Sequence, residues 1–418
     1  MIALFVLLFA LIVLSFPIFL SIGASTITAF LIQHKPLFMV AQKMYDGVNS
    51  YVLLAVPLFM LAGAFMDQGG ISKRLVALSE SLVGHLRGGL GITSILSSML
   101  FAGVSGSAAA DTAAVGSVLI PSMTKQGYNK NLAASIVAAG GSIGVIIPPS
   151  IPMIIYAFIA NVSVGKMFIA GILPGILIGF SLMLVVYLSS DKEYNRDKKF
   201  EFDRFQKALK ESILALGVPF IVVGGILGGI FTATESAAVA VVYAFLVSFF
   251  FYKELTLKKA YEAAVNAIKM SSIILIIISI ATVFSWFLSM NNIQQLLSSA
   301  FLSLTHDKIA LIILVNLFLL LMGTFVETTA SLILFTPVVL PLLNSLGVDP
   351  LTSGVVIVTN LAIGMLTPPL GICLIVSGAI AKSKILDISK AILPFLAVMI
   401  VDLFLISFVP FLTTLLVG

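Results

Sequence analysis

Residues 140–152 read GGSIGVIIPPSIP, and residues 360–371 read NLAIGMLTPPLG. Each places a tandem proline inside a long apolar run, four residues after a glycine, Gly144 in the first and Gly364 in the second. Proline has no amide hydrogen and its ring clashes with the preceding helical turn, so each pair breaks a helix and frees backbone carbonyls. The solvent decides what that means. The chain of 418 residues is 60% hydrophobic and 10% charged, with a mean hydropathy of +1.18, whereas a soluble chain carries roughly a quarter charged residues. No soluble fold hides that much apolar surface, so the fold class is an all-α polytopic membrane protein. Lipid cannot satisfy a freed carbonyl, so both breaks must be buried or line a wet cavity.

The same composition excludes a cytosolic enzyme, a nucleic-acid binder and a secreted disulfide scaffold. Cys373 is alone, so no intrachain disulfide forms. A net charge of +5 is small for this length and fits cytoplasmic Lys and Arg on a membrane protein. The first apolar run, 2–32, has no basic n-region and is too long for a signal h-region, so it reads as a retained first span. Further apolar segments lie at about 50–66, 90–121, 131–160, 167–188, 213–231, 236–252, 270–290, 309–341, 351–380 and 391–416. Residues 191–211 hold 13 of the 41 Asp, Glu, Lys and Arg residues, seven of them basic, and read as a cytoplasmic connector or surface helix.

Across that connector the chain repeats itself. An ungapped shift of 220 positions aligns Gly103 with Gly323, Pro121 with Pro341, Gly127 with Gly347 and Gly144 with Gly364. It also aligns Pro148-Pro149 with Pro368-Pro369 and Ile172-Leu173-Pro174 with Ile392-Leu393-Pro394. Shared Gly and Pro fix backbone geometry, whereas shared apolar residues in such a chain arise by chance. Loop charges then orient the copies. Lys125 and Lys130 lie in a loop whose mate, 342–351, has no basic residue, while 161–170 has only Lys166 and its mate has Lys382, Lys384 and Lys390. Equivalent loops therefore fall on opposite sides of the membrane, an inverted repeat of the kind secondary carriers use.

Two long runs cannot be ordinary spans. Residues 90–121 carry Gly103-Val104-Ser105-Gly106-Ser107 at their middle, and 310–341 carry Gly323 to Thr329. Each arm of about 15 residues gives roughly 22 Å of helix, short of a ~30 Å core. They are expected to be two re-entrant helical hairpins, each followed by one of the two broken helices; straight helices packed through small residues are the competing reading. A carbonyl cluster can ligate an alkali cation, and a half-helix N-terminus can ligate a carboxylate.

Asp111, Glu235, Glu327 and Asp402 lie in apolar runs without a neighbouring Lys or Arg, and intramembrane charge marks functional candidates. Glu327, at a hairpin tip, is the foremost. Asp111 and Glu235 also suit helix starts, and Asp402 reads as an exposed end residue. The three histidines, His34, His85 and His306, lie outside the apolar runs, which leaves an intramembrane zinc or serine protease without its ligands or base. No GxxxxGK[ST] string occurs, so transport must draw on a gradient.

The strings SGSAAADTAAVGSVLIPSM, GGSIGVIIPPSIPMIIY, GIFTATESAAVA and LAIGMLTPPLG resemble the large membrane subunit of the tripartite ATP-independent periplasmic (TRAP) transporters, over essentially the whole chain. The resemblance implies an elevator-type sodium symporter of organic acid anions (C4-dicarboxylates, sialic acids, sugar acids or keto acids) in the bacterial inner membrane. Its partners would be a small four-helix membrane subunit and a soluble periplasmic substrate-binding protein, both separate polypeptides. Scaffold helices would occupy 1–89 and 213–309, transport cores 90–190 and 310–418, and the cytoplasmic connector 191–212. Carried over by position, one Na+ site would use Ser105, Ser107, Ser142 and Gly144, and a second Gly323, Thr324, Gly364 and Thr367. The substrate pocket would use Ser105, Ser150 and Glu327, where many relatives carry Asp in place of Glu327. A sodium–dicarboxylate or citrate-type carrier that needs no binding protein is the rival reading, and a channel the third.

Overall fold

A computed structural model describes the chain except residues 1, 15, 191–198, 294, 297, 298, 300–302, 304, 306, 369 and 418. Among the described residues the regular structure is helical, without strands. The helices are α1 (Ile2–Val13), α2 (Ile18–Ile32), α3 (Phe38–Val48), α4 (Ala55–Gln68), α5 (Ile71–Val83), α6 (Gly89–Ser105), α7 (Ala108–Lys125), α8 (Lys130–Ser142), α9 (Ile151–Ala160) and α10 (Val164–Ser189). After the connector come α11 (Phe202–Leu227), α12 (Ala233–Leu246), α13 (Leu257–Met290), α14 (Lys308–Phe325), α15 (Thr328–Ser345), α16 (Pro350–Gly364), α17 (Ile372–Ala381), α18 (Ile385–Ala391), α19 (Leu393–Phe408) and α20 (Phe411–Thr414). Seven described helices, some with a short flanking turn, are long and apolar enough to cross a membrane, and the pair α18–α19, bent by 56°, brings the number to eight if it is counted as one span.

Elements recur at the spacing of the glycine and proline matches. Helix α7 begins at Ala108 and α15 at Thr328; α8 begins at Lys130 and α16 at Pro350. Both runs with glycine at their middle are helix–break–helix pairs, α6–α7 and α14–α15, whose arms pack on each other. Both tandem-proline runs are broken. Helix α8 ends in a 3-10 turn at Ile143–Val145 and the chain re-enters a helix at Ile151; α16 ends at Gly364 and α17 starts at Ile372. Pro148-Pro149 is joined by a cis bond, and Pro369 lies outside the described residues.

Two expectations change, for the run 2–32 and for Asp402. The run 2–32 is two short helices packed together rather than one span, because Pro17 supplies no amide and ends α1. Of the charged connector, 191–198 lie outside the described residues, while Phe202 onward already belongs to α11. Asp402 is not an exposed end residue. It is 2% exposed, with Oδ1 accepting a 3.0 Å hydrogen bond from Ser181 on α10. Glu235 caps as expected: with Thr232 it closes a capping box at the start of α12.

One large core, drawing on every part of the chain from Leu53 to Ile406, runs through the centre. A second cluster joins α1 and α2 to the end of α13 and to Leu334 of α15. Helix α5 places Ile71, Leu75, Val76 and Leu78 inward, the i, i+4 rhythm of an amphipathic helix. Its Arg74 stacks 3.7 Å over Tyr252 and bonds Glu254 at 2.7 Å, tying the start of α5 to the segment between α12 and α13.

Candidate functional site

The first hairpin tip is seated directly on the first break. Gly106 has a φ of +61°, a conformation that costs a side chain, and a Cβ there would lie 2.9 Å from the carbonyl oxygen of Pro149. Ser105 donates to the Asp111 carboxylate and accepts from the amide of Ser107 at 3.1 Å. The other Asp111 oxygen, Oδ2, is buried without a partner, and a Cβ at Gly144 would lie 2.0 Å from it. Asp111 therefore looks across the tip to the broken helix rather than capping its own helix. Ser105, Gly144 and Asp111 are thus gathered in one place. Ser142 is set apart: its hydroxyl donates to Ala139 at 2.8 Å and faces the Met399 sulfur at 3.9 Å.

The second tip meets the second break backbone to backbone. A Cβ at Gly364 would lie 2.6 Å from the carbonyl carbon of Gly323. Thr324 donates to Leu321 at 2.7 Å and Thr367 to Ile363 at 2.9 Å, so each hydroxyl is folded onto its own helix with oxygen lone pairs to spare. Behind this contact Asn360 bonds Asn316 at 2.8 Å and Asn316 bonds Ser407 at 3.0 Å, a buried polar thread linking α14, α16 and α19.

Between the tips lies a cavity of about 400 Å³. Four helix starts reach it: Ser107 and Ala108 of α7, Ile151 of α9, Glu327 and Thr328 of α15, and Ile372 of α17. The first turn of a helix leaves amides unpaired and carries a partial positive charge, so converging starts favour an anion without any Lys or Arg. The opposite wall is one face of α13, Met270, Ile273, Ile274 and Ile277, with Ile18 and Met60 beside it. Sequence reasoning missed this wall. Its i, i+3, i+4, i+7 spacing is there to read, but in a run apolar on all sides no polar face marks it out.

Of the residues expected in a substrate pocket, Glu327 lines the cavity and its carboxylate accepts the Ala330 amide at 3.1 Å. Ser150 does not: fully buried, it caps α9 by accepting from Met153 at 3.3 Å and donates to Val145 at 2.5 Å. Ser105 sits beneath the tip, and Ser107 takes its place on the cavity wall.

With this arrangement established, residues 5–412 match the family model described as the tripartite ATP-independent periplasmic transporter, DctM component. The chain belongs to the DctM family. It is a TRAP transporter large permease, a multi-pass protein of the bacterial inner membrane and not an enzyme. It is 40% identical to the isethionate TRAP transporter permease protein DctMQ of Oleidesulfovibrio alaskensis, covering 95% of this chain and 63% of that one. It is 37% identical to the C4-dicarboxylate TRAP transporter large permease protein DctM of Vibrio cholerae, over 98% of this chain and 96% of that one. Among solved structures the YdaH transporter of Alcanivorax borkumensis shares the fold at a TM-score of 0.64 and 16% identity, covering 88% and 86%.

Proposed function

We propose that this DctM-family permease carries an organic acid anion inward by sodium symport, with an elevator movement of the two hairpin cores. The observation that carries the reading is the convergence of two hairpin tips and four helix starts on one cavity, with a broken helix behind each tip. The helix starts hold the anion. Sodium binds beneath the first tip, at Ser105 and Gly144 with the Asp111 carboxylate close by, and beneath the second at Gly323, Thr324, Gly364 and Thr367. Each ion brings positive charge next to the cargo. Each also gains roughly 2.3 kcal/mol per 100 mV on entering the cell, so two ions carry a monoanion uphill with net charge to spare.

In this reading the two repeats are inverted, the connector at 191–212 is cytoplasmic, and 90–190 with 310–418 move against 1–89 with 213–309. The wall of α13 belongs to the static part, so movement of the tips along it would carry the cavity from one side to the other. A small four-helix membrane subunit and a periplasmic substrate-binding protein complete the system. Isethionate and C4-dicarboxylates, named for the two relatives, are both organic anions, the broad class to which this reading assigns the cargo.

The test is uptake of labelled organic acids by proteoliposomes holding the permease and its small subunit, with an inward sodium gradient, with and without the binding protein. Uptake requiring sodium and binding protein is expected. Uptake indifferent to sodium would refute the symport, and sodium-driven uptake without the binding protein would move the chain to the self-sufficient dicarboxylate carriers.

A further inference from the structure

Helix α13 walls a second cavity. Three helices that line the cavity between the tips, α9, α13 and α15, also line one of about 330 Å³ farther along. On α9 the lining moves from Ile151 and Pro152 to Phe158 and Ile159, seven residues or roughly 10 Å of helix. On α13 it moves from the face within 270–277 to one within 278–289, and on α15 from Thr328 and Thr329 to Ile333 and Pro337. Lys258 and Lys259 mark the start of α13 as its cytoplasmic end by the positive-inside rule, so the second cavity lies on the periplasmic side of the first.

The two cavities differ in charge. Among the described residues their linings hold one Lys or Arg between them, Lys43 of α3, and it belongs to the second. Its ammonium lies 5.9 Å over the ring of Trp286 on α13 and donates to Asp46 at 2.9 Å. That contact uses one of three N–H groups, and the two side chains are 32% and 45% exposed, where an ion pair holds weakly. The hydroxyls on the α13 wall are spent on their own helix: Thr282 donates to Ile278 at 2.9 Å and Ser289 to Ser285 at 3.0 Å. Lys43 is thus a cation with donors to spare, in a cavity whose apolar cover comes from Phe158, Ile159 and Ile333.

We propose that this second cavity is an anion site, in which Lys43 receives the carboxylate or sulfonate of the cargo before the tips take it. An arriving acid group shares the ammonium with Asp46 or displaces it, since a cation on an open wall attracts an anion at longer range than helix starts do. Helices α3 and α13 belong to the static part, whereas α9 and α15 carry the tips, so the cation stays behind when the acid moves on. Asp46 then takes Lys43 back, and this resident carboxylate keeps the ammonium from trapping the cargo. The inference rests on the cavity between the tips being the cargo site.

Trp286 is the chain's one tryptophan, so its fluorescence reports on the site directly. The purified permease with its small subunit is titrated with sodium succinate and sodium isethionate, against sodium chloride at equal sodium and ionic strength, with the Trp286→Phe complex subtracted as background. Both acids are expected to change the emission saturably where chloride does not. Lys43→Gln is expected to raise the half-maximal concentration about tenfold, Lys43→Arg to hold it within about threefold, and Asp46→Asn, which removes the resident competitor, to lower it. In sodium-driven uptake Lys43→Gln should raise the KM of the transported acid about tenfold at an unchanged maximal rate. No saturable signal from either acid, a midpoint indifferent to both Lys43→Gln and Asp46→Asn, or an unchanged KM in Lys43→Gln would overturn the inference and leave sodium-coupled transport standing. Uptake indifferent to sodium would refute the symport instead, and the fluorescence titration would still decide the anion site.

Discussion

Replacing Gly364 by alanine probes the joint on which the second half of the molecule turns. The added Cβ would lie 2.6 Å from the Gly323 carbonyl carbon and 2.7 Å from both its Cα and its oxygen. Ordinary contact begins near 3.4 Å, so α14 and α16 must separate by about 0.8 Å. Neither side can yield by rotating a side chain, because both are backbone. Overpacking of this kind costs about 1–3 kcal/mol, roughly 5- to 150-fold in the population of the native contact. Two companions calibrate it. Gly323→Ala places its Cβ 3.3 Å from the Gly364 Cα, which asks for a shift of a tenth or two of an ångström and a cost within about 1 kcal/mol. Gly224, inside α11, has nothing within 4 Å of an added Cβ, so alanine there should stabilise by up to about 1 kcal/mol through helix propensity. Thermal unfolding in detergent, alongside sodium-dependent uptake, should therefore rank Gly364→Ala well below Gly323→Ala, and Gly323→Ala below Gly224→Ala. A Gly364→Ala protein with wild-type midpoint and uptake would refute the close crossing.

Asp111→Asn removes the buried charge facing Gly144 but keeps an oxygen for Ser105, so folding should persist while the sodium concentration for half-maximal thermal stabilisation rises at least tenfold; an unchanged value would remove Asp111 from the ion site. Asp402 and Ser181 make opposite predictions for two substitutions, measured by thermal unfolding. Ser181→Ala strips the buried carboxyl of its hydrogen bond and should cost about 1–3 kcal/mol, whereas Asp402→Leu, matching Leu182 in the other repeat, should be neutral or stabilising. Arg74→Lys keeps the charge but loses the flat stack on Tyr252, and should still lose about 1 kcal/mol, seen as a lower midpoint.

How much of this was legible depended on whether residue type dictates backbone. Gly103, Gly323 and the tandem prolines announce breaks in any solvent, which is why hairpins and broken helices follow from the string alone. Pro17 is the same signal overlooked, since a single proline near the start of a long apolar run does not reveal whether the helix bends or stops. Side-chain partners were harder. Asp402 sits six residues before the end of α19, and only the packing of α10 against it shows that the carboxyl is covered. Asp111 and Ser150 stand at helix starts where one string serves two purposes: Ser150 is spent as a cap, whereas Asp111 is turned away to Ser105. The cavity wall on α13 could not be read, because distant segments create it and its residues look like lipid-facing ones.

The matching of helix starts between the two halves has a consequence for what this gene can tolerate. Helices α7 and α15 are each 18 residues long, and each begins after a two-residue turn. A single inserted or deleted residue in either arm would rotate its remainder by about 100° and withdraw the tip from its break. Elsewhere the halves match less closely: where the second half runs α13 as one 34-residue helix, the first half spends the matching stretch on α3, a short turn and α4. The two halves thus differ in where a helix breaks rather than in length, while both tips keep the same two-residue turn at the same spacing.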